Sequence, residues 1–316
     1  MRNNTRAAQG QGLTTTEAPF IAEARSRGRL FIEQPFELYS GENHSTWRRL
    51  YSRIHPLWQR YANPNFLEGL DRLGLPPDRI PKLGEINRFL SPLTGFEARA
   101  VSGYVPAFVF FDSLRNRAFP TTITIRHPGK LDYLPEPDIF HDLAGHVPMH
   151  TDKAFAETLV RFGDCAHAAA ERAAGARETD PALARLSSIL RAMARFFWFT
   201  VEFGLMRSQT RAKSGVCAYG SGLLSSYGEL AHSVESETVD RRPLRLEEVI
   251  QRPFRIDSYQ PLLYVAESFE QIYEMVGELE NWMRAGKLDD VAAGEPSVSA
   301  GDLRSFLYPA GNAAAA

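Results

Sequence analysis

The sequence predicts a mainly α-helical fold with a few short β-strands. Three observations point there. Long stretches place apolar residues at helical spacing, strand signals are brief, and no Gly/Ser- or Pro-rich linker divides the 316-residue chain. One catalytic-sized domain over residues 29–290 is expected, with a disordered tail at 1–28 and a loosely ordered extension at 291–316.

Near the N-terminus, Ser45 or Thr46 is read as the cap of a helix through TWRRLYSRIHPLWQRY, in which Trp47, Leu50, Tyr51 and Ile54 share a face and Pro56 is placed to kink or end it. FLEGLDRLGL and GEINRFL read as shorter helices, the second ending near Pro92. The β-branched or alternating segments EARAVSG, TTITIR and PLLYVA read as strands. AFAETLVRFGDCAHAAAERAA is amphipathic at helical period. PALARLSSILRAMARFFWFTVEFGLM reads as a long helix that becomes apolar all round, as a helix buried at the centre of its domain does.

Composition narrows the function. A net charge of −2 gives no footing for nucleic acid or an anionic membrane as main partner. Two cysteines, Cys165 and Cys217, are too few for a disulfide framework and lack metal-site spacing, so a reducing, cytoplasmic setting is expected. No apolar run approaches the ~20 residues of a membrane helix.

The chemistry concentrates in Pro135-Glu-Pro-Asp-Ile-Phe-His-Asp-Leu-Ala-Gly-His-Val-Pro148. Asp138 is a natural helix N-cap, and Gly145 stands where a left-handed cap would end the helix, with Pro148 beyond. His141 and His146 are five apart, about 140° around a regular helix. They converge only if the helix stops at Gly145. Either histidine alone is an ordinary cap or surface residue. His146 and His150 have the spacing of a helical zinc pair, but Pro148 intervenes and no Glu follows the first His.

A second signal is Glu202 in the apolar run FFWFTVEFGL. A buried carboxylate needs a counter-charge. Taken alone, it reads as half of a salt bridge to Arg191, Arg195 or Arg207. Beside two convergent histidines, a 2-His-1-carboxylate site with three open positions becomes the better account. Iron suits that set because no thiolate is near, although these residues alone leave zinc open. A third segment, AYGSGLLSSYGE, has turn glycines and the polar groups Ser225, Ser226 and Glu229, but lacks phosphate-loop spacing and reads by itself as a turn-rich loop.

At these three segments the chain resembles the catalytic domain of the tetrahydrobiopterin-dependent aromatic amino acid hydroxylases, and most of all their bacterial branch. Further matches are YSGENHSTWRRLY, IPKLGEINRFL, TGFEARAVSGYVP, TIRHPGKLDYL and FRIDSYQPLLYVAESF, so the likeness spans roughly residues 35–275. It implies an Fe(II)- and tetrahydrobiopterin-dependent monooxygenase that uses O2 to hydroxylate an aromatic amino acid, L-phenylalanine to L-tyrosine first among the choices.

The resemblance also implies roles. His141, His146 and Glu202 fall on the iron ligands, and Arg126 on the arginine that binds the substrate carboxylate. Ser225 falls near that carboxylate and the first histidine. Tyr133, Pro135, Pro137, Phe197 and Trp198 fall on the walls around the substrate ring. Phe110 falls on the aromatic residue stacked on the pterin, and Gly103, Tyr104 and Val105 on the loop whose backbone binds it. Asp138 and Glu229 fall on carboxylates that support the ligands. Without the family, Phe110, Phe197 and Trp198 would be core aromatics and Arg126 a strand-end charge.

The chain departs from the animal members. Asp142 stands where they carry Glu, so a water-bridged contact from it to the pterin is the expectation most open to change. Leu134 replaces a threonine, Ala144 is smaller than the usual residue, and MRSQTRAKSGVC is longer and basic. No regulatory domain precedes the match and no heptad helix comes after it, so a monomer is expected.

Overall fold

The computed structural model describes residues 13–14, 30–103, 105–132, 137–174, 176–177, 179–208, 214–299, 301 and 303. Among these the chain is mainly helical, with two small sheets.

Helix α1 spans Gly41–Tyr61. Its cap is Ser40, ahead of the expected Ser45 or Thr46. Ser40 Oγ accepts from the Asn43 N–H at 3.2 Å, and Asn43 Oδ1 accepts from the Ser40 N–H at 2.9 Å. Pro56 does not end the helix. It lies on the exposed face of the helix. Helix α2 (Pro64–Leu73) starts on an Asn63 cap. Helix α3 (Leu83–Thr94) likewise runs through an exposed Pro92 and stops at Gly95, whose φ of 78° is left-handed.

Strand β1 (Glu97–Ala100) pairs in parallel with β2 (Ala118–Thr121) across helix α4 (Ala107–Arg115). TTITIR was expected as a strand, but only Thr121 belongs to one. The next residues join no strand, and their backbone groups turn elsewhere. Thr122 N–H donates to the Asp142 carboxylate at 2.6 Å, Arg126 N–H donates to Asp138 Oδ2 at 2.9 Å, and Thr124 O accepts from Ile139 N at 2.8 Å. The predicted strand is a rail for the His141 segment.

Helix α5 (Lys153–Arg172) packs on α4 and on the final helix; α6 (Pro181–Phe197) runs through the centre. The predicted continuation of α6 through Met206 breaks at Phe203. Leu205–Arg207 form β3, antiparallel to β4 (Val216–Ala218). Next come α7 (Ser221–Leu224), α8 (Tyr227–Glu235), β5 (Asp240–Pro243), α9 (Leu246–Gln251), β6 (Leu262–Ala266) and α10 (Phe269–Arg284). The second sheet has the order β4-β3-β6-β5, with β6 parallel to both its neighbours.

The core is aromatic. Trp47, Trp58, Phe66, Phe140, Phe162 and Phe196 are fully buried. The Trp58 indole N–H donates to Leu224 O at 2.7 Å and ties α1 to α7. Residues 291–298 lie along α6: Ser188 Oγ accepts from Val291 N at 2.7 Å, Ser187 Oγ accepts from Val298 N at 3.0 Å, and Arg195 donates to the carbonyls of Ala292 and Ala293. The predicted tail at 1–28 and the end of the chain from 304 lie outside the described residues, apart from 13–14.

Candidate metal centre

Asp138 starts the segment as expected: its Oδ1 accepts from the His141 N–H at 2.9 Å. Beyond that cap the backbone departs from the predicted stop at Gly145. Residues His141–His146 form a π-helical turn, and the chain stays right-handed helical through Val147 and Pro148. Val147 N–H reaches back five residues to Asp142 O at 3.3 Å. With more than four residues per turn, positions i and i+5 come onto one side. The histidines therefore converge through a widened turn.

Gly145 serves close packing. A Cβ there would lie 2.8 Å from Ser221 O, so α7 seats directly on the turn. Glu202 arrives on a second π turn, Trp198–Glu202, closed by Phe203 N–H to Trp198 O at 2.8 Å. A Cβ on Gly220 would lie 2.5 Å from Glu202 O, so the same segment also packs against this second turn.

Three side chains meet where the turns face each other, through two imidazole nitrogens and the two oxygens of one carboxylate. His141 Nε2 and His146 Nε2 are 3.1 Å apart, and Glu202 oxygens lie 3.0 Å from His146 Nε2 and 3.5 Å from His141 Nε2. Donors bonded to one ion at ~2.1 Å and at right angles to each other are separated by ~3 Å. The donor set thus fits a metal bound on one face. Two of the arginines weighed as salt-bridge partners for Glu202 are engaged elsewhere: Arg195 binds backbone carbonyls and Arg207 binds Glu267.

Electrostatics agree with the geometry. Burial pushes His141 down to about 4, against the pull of Glu202, so its imidazole is neutral near pH 7. Burial would raise Glu202, but the two histidines and Ser221 outweigh it and hold the carboxyl at about 2. A neutral His141 imidazole beside an ionised Glu202 carboxylate is the protonation state that ligation of a metal by these two groups requires. His141 Nδ1 meets Ser225 Oγ at 2.8 Å, which fixes the ring.

Asp142 also brings a carboxylate oxygen within 4.8 Å of the histidine donors. It is buried and accepts the Thr122 N–H, and burial raises it to about 7. It does not line the cavity, whereas Glu202 does. Glu202 is the better third donor.

His141 and Glu202 open into a cavity of about 300 Å³ walled by Phe110, Phe197, Trp198 and Pro137 together with Phe203 and Phe254. Trp198 stacks on Phe254 with centroids 4.2 Å apart and planes at 11°, and its indole N–H donates to Gln260 Oε1 at 3.3 Å. Gln260 N–H in turn donates to Glu229 Oε1 at 2.8 Å, so Glu229 is linked to the cavity wall through Gln260 and Trp198. Phe110 stands edge-on to Phe197 at 5.4 Å. Arg126 lines the cavity while its Nε and Nη2 donate to Asp138 at 2.7 and 2.9 Å, so the guanidinium edge suited to a carboxylate on that side is taken. Its Nη1 donates to Asp132 O at 2.9 Å.

Gly103, with φ of 145°, and Val105 lead into α4 and do not line the cavity. Tyr104, Tyr133 and Pro135 lie outside the described residues, as do residues 209–213 of the long basic stretch. Sequence reading missed Phe203, Phe254, Gln260 and Ser221. The Ser221 hydroxyl lies 2.8 Å from His146 Nε2 and donates to Glu202 Oε2 at 2.9 Å. The close pair of glycines around it was the available signal.

The family model described as biopterin-dependent aromatic amino acid hydroxylase matches residues 32–285. Phenylalanine-4-hydroxylase of Chromobacterium violaceum is 38% identical over 243 residues, covering 77% of this chain and 75% of that protein. Two solved structures of the phenylalanine hydroxylase from that organism superpose well. The one with iron and phenylalanine bound has a TM-score of 0.69 at 33% identity, over 85% of this chain and 94% of that one. The one with iron(III) and oxidised 7,8-dihydrobiopterin has a TM-score of 0.70 at 33% identity, over 89% and 99%.

Proposed function

Because the chain belongs to the biopterin-dependent aromatic amino acid hydroxylases, we propose that it is an iron- and tetrahydropterin-dependent monooxygenase converting L-phenylalanine to L-tyrosine. The observation that carries this is the convergence of His141, His146 and Glu202 at the head of an aromatic cavity that also holds Arg126. Iron and the reduced pterin, when bound, supply the O2 chemistry.

The chain's own residues hold and orient. His141, His146 and Glu202 are assigned to the iron, and Ser225 steadies the His141 ring through Nδ1. Asp138 aims the buried Arg126, whose remaining Nη donors are assigned to the substrate carboxylate. Trp198, Phe197 and Pro137 are assigned to the substrate ring, and Phe110 to a face of the pterin. Tyr133 and Pro135 are assigned to the same ring pocket, and Gly103, Tyr104 and Val105 to the pterin edge, on family likeness alone. Asp142 is assigned to the pterin side, and its bond to Thr122 confines it to an indirect contact. Together the aromatic walls exclude water and hold the ring near the metal donors.

A monomer in the cytoplasm is part of this reading, and the two buried free thiols suit a reducing compartment. The deciding experiment supplies Fe(II), O2 and tetrahydrobiopterin with phenylalanine, tyrosine or tryptophan and identifies the products. Tyrosine formed in step with pterin oxidation is expected. Pterin oxidation that phenylalanine does not stimulate, with no hydroxylated product, would overturn the assignment.

A further inference from the structure

Ser221 opens α7 and is 1% exposed. Its position is set by backbone. Its carbonyl rests against Gly145 of one ligand-bearing turn, and Gly220 before it rests against Glu202 of the other. Its hydroxyl then faces three polar atoms: His146 Nε2 at 2.8 Å, Glu202 Oε2 at 2.9 Å and Val201 O at 3.3 Å. A hydroxyl has one proton to give. A His146 that ligates a metal directs its Nε2 lone pair at the ion, and the backbone carbonyl is the most distant. The ionised carboxylate is the strongest acceptor. Packing alone requires no oxygen here, and a buried hydroxyl is costly unless it is bonded.

The two Glu202 oxygens differ as a result. Oε1 faces His146 at 3.0 Å, while Oε2 is 3.5 Å from His141 and accepts the Ser221 proton. We propose that Ser221 is a positioning residue for the metal centre: by engaging Oε2 it restrains Glu202 to ligation through one oxygen and keeps a coordination position open. This role rests on the assignment of His141, His146 and Glu202 to a metal. The open position matters because a carboxylate bound through both oxygens would occupy a site that the substrates of a facial triad need.

The test loads full-length wild type, Ser221→Ala and Glu202→Ala with Co(II) and records the visible ligand-field spectrum and the affinity in competition with a chelator. Ser221→Ala removes one oxygen and adds no bulk. With Oε2 released, both Glu202 oxygens bind, the coordination number rises and the bands weaken, as they do whenever Co(II) gains a ligand. Affinity changes by about 10-fold, the scale of a lost outer hydrogen bond to a ligand. Bands that stay the same overturn the proposal whatever the affinity. Bands that intensify also overturn it, since they mean that Ser221 itself was a ligand. Glu202→Ala separates the two readings. If it too binds Co(II) like the wild type, the metal-centre assignment fails; if it loses Co(II) while Ser221→Ala keeps the wild-type spectrum, only the role of Ser221 fails.

Discussion

Asp138 grips Arg126 with both carboxylate oxygens, 2.7 Å from Nε and 2.9 Å from Nη2, and both side chains are 3% exposed. Burial alone would raise Asp138, but the guanidinium and the backbone N–H groups of His141 and Arg126 hold it below its usual 3.8. The pair is therefore an aiming device for a cation in the cavity wall, and it is buried enough to matter for stability.

Removing one partner leaves the other charge buried and unpaired. Asp138→Ala should destabilise the fold by about 3–5 kcal/mol in urea unfolding at neutral pH. The sign with pH comes from the depressed carboxyl. Its contribution is present above the unfolded value of 3.8 and is lost as pH falls below it, so the gap between wild type and variant closes in acid. A loss under 1 kcal/mol would show that the pair is dispensable.

Glu229 behaves in the opposite sense. Burial raises it from 4.5 to about 7, only partly offset by the Gln260 N–H. The folded state holds the proton more tightly than the unfolded chain, so stability drains away as pH rises from 4.5 to about 7. Glu229→Gln keeps an acceptor for Gln260 and removes the charge. Its melting temperature should gain on the wild type between pH 5 and pH 8. An equal gap at both pH values would contradict this.

Glu202→Ala removes the carboxylate from the donor cluster. Coupled turnover should disappear, with iron content reduced after purification. Full hydroxylating activity with iron still bound would refute the assignment of Glu202.

Trp198, clamped between Phe254 and Phe203 and tethered to Gln260, narrows the ring pocket. The kcat/KM for phenylalanine should exceed that for tryptophan by about 10-fold or more, the scale on which a tight apolar pocket discriminates by size. Trp198→Phe should shrink that ratio. Comparable values for the two substrates in the wild type would remove Trp198 as the determinant.

Much of this was legible along the chain because it is local. The helical period around Trp47 and Leu159, the Asp138 cap and the apolar setting of Glu202 depend on neighbours in sequence. The features that escaped depend on partners far away. TTITIR has strand propensity, yet Thr122 and Arg126 spend their N–H groups on the carboxylates of Asp142 and Asp138. Gly145 looked like a helix stop because glycine favours left-handed backbone, whereas its lack of a side chain lets α7 approach. Gln260, the hydrogen-bond partner of Trp198, lies 62 positions further on, and no pattern in the sequence signals such a pairing.

The widened turn at His141–His146 has a consequence for insertions and deletions. A π turn is how a regular helix absorbs one inserted residue while the stretches on either side keep their phase. Excising Ala144 would set the two histidines four apart, about 40° from each other on an ordinary helix, so the imidazoles would still face the same way. The surplus residue is thus unnecessary for pairing them. It broadens the backbone into the shelf on which the Gly220–Leu224 segment sits, and a shortened chain would keep its histidines but lose that seat.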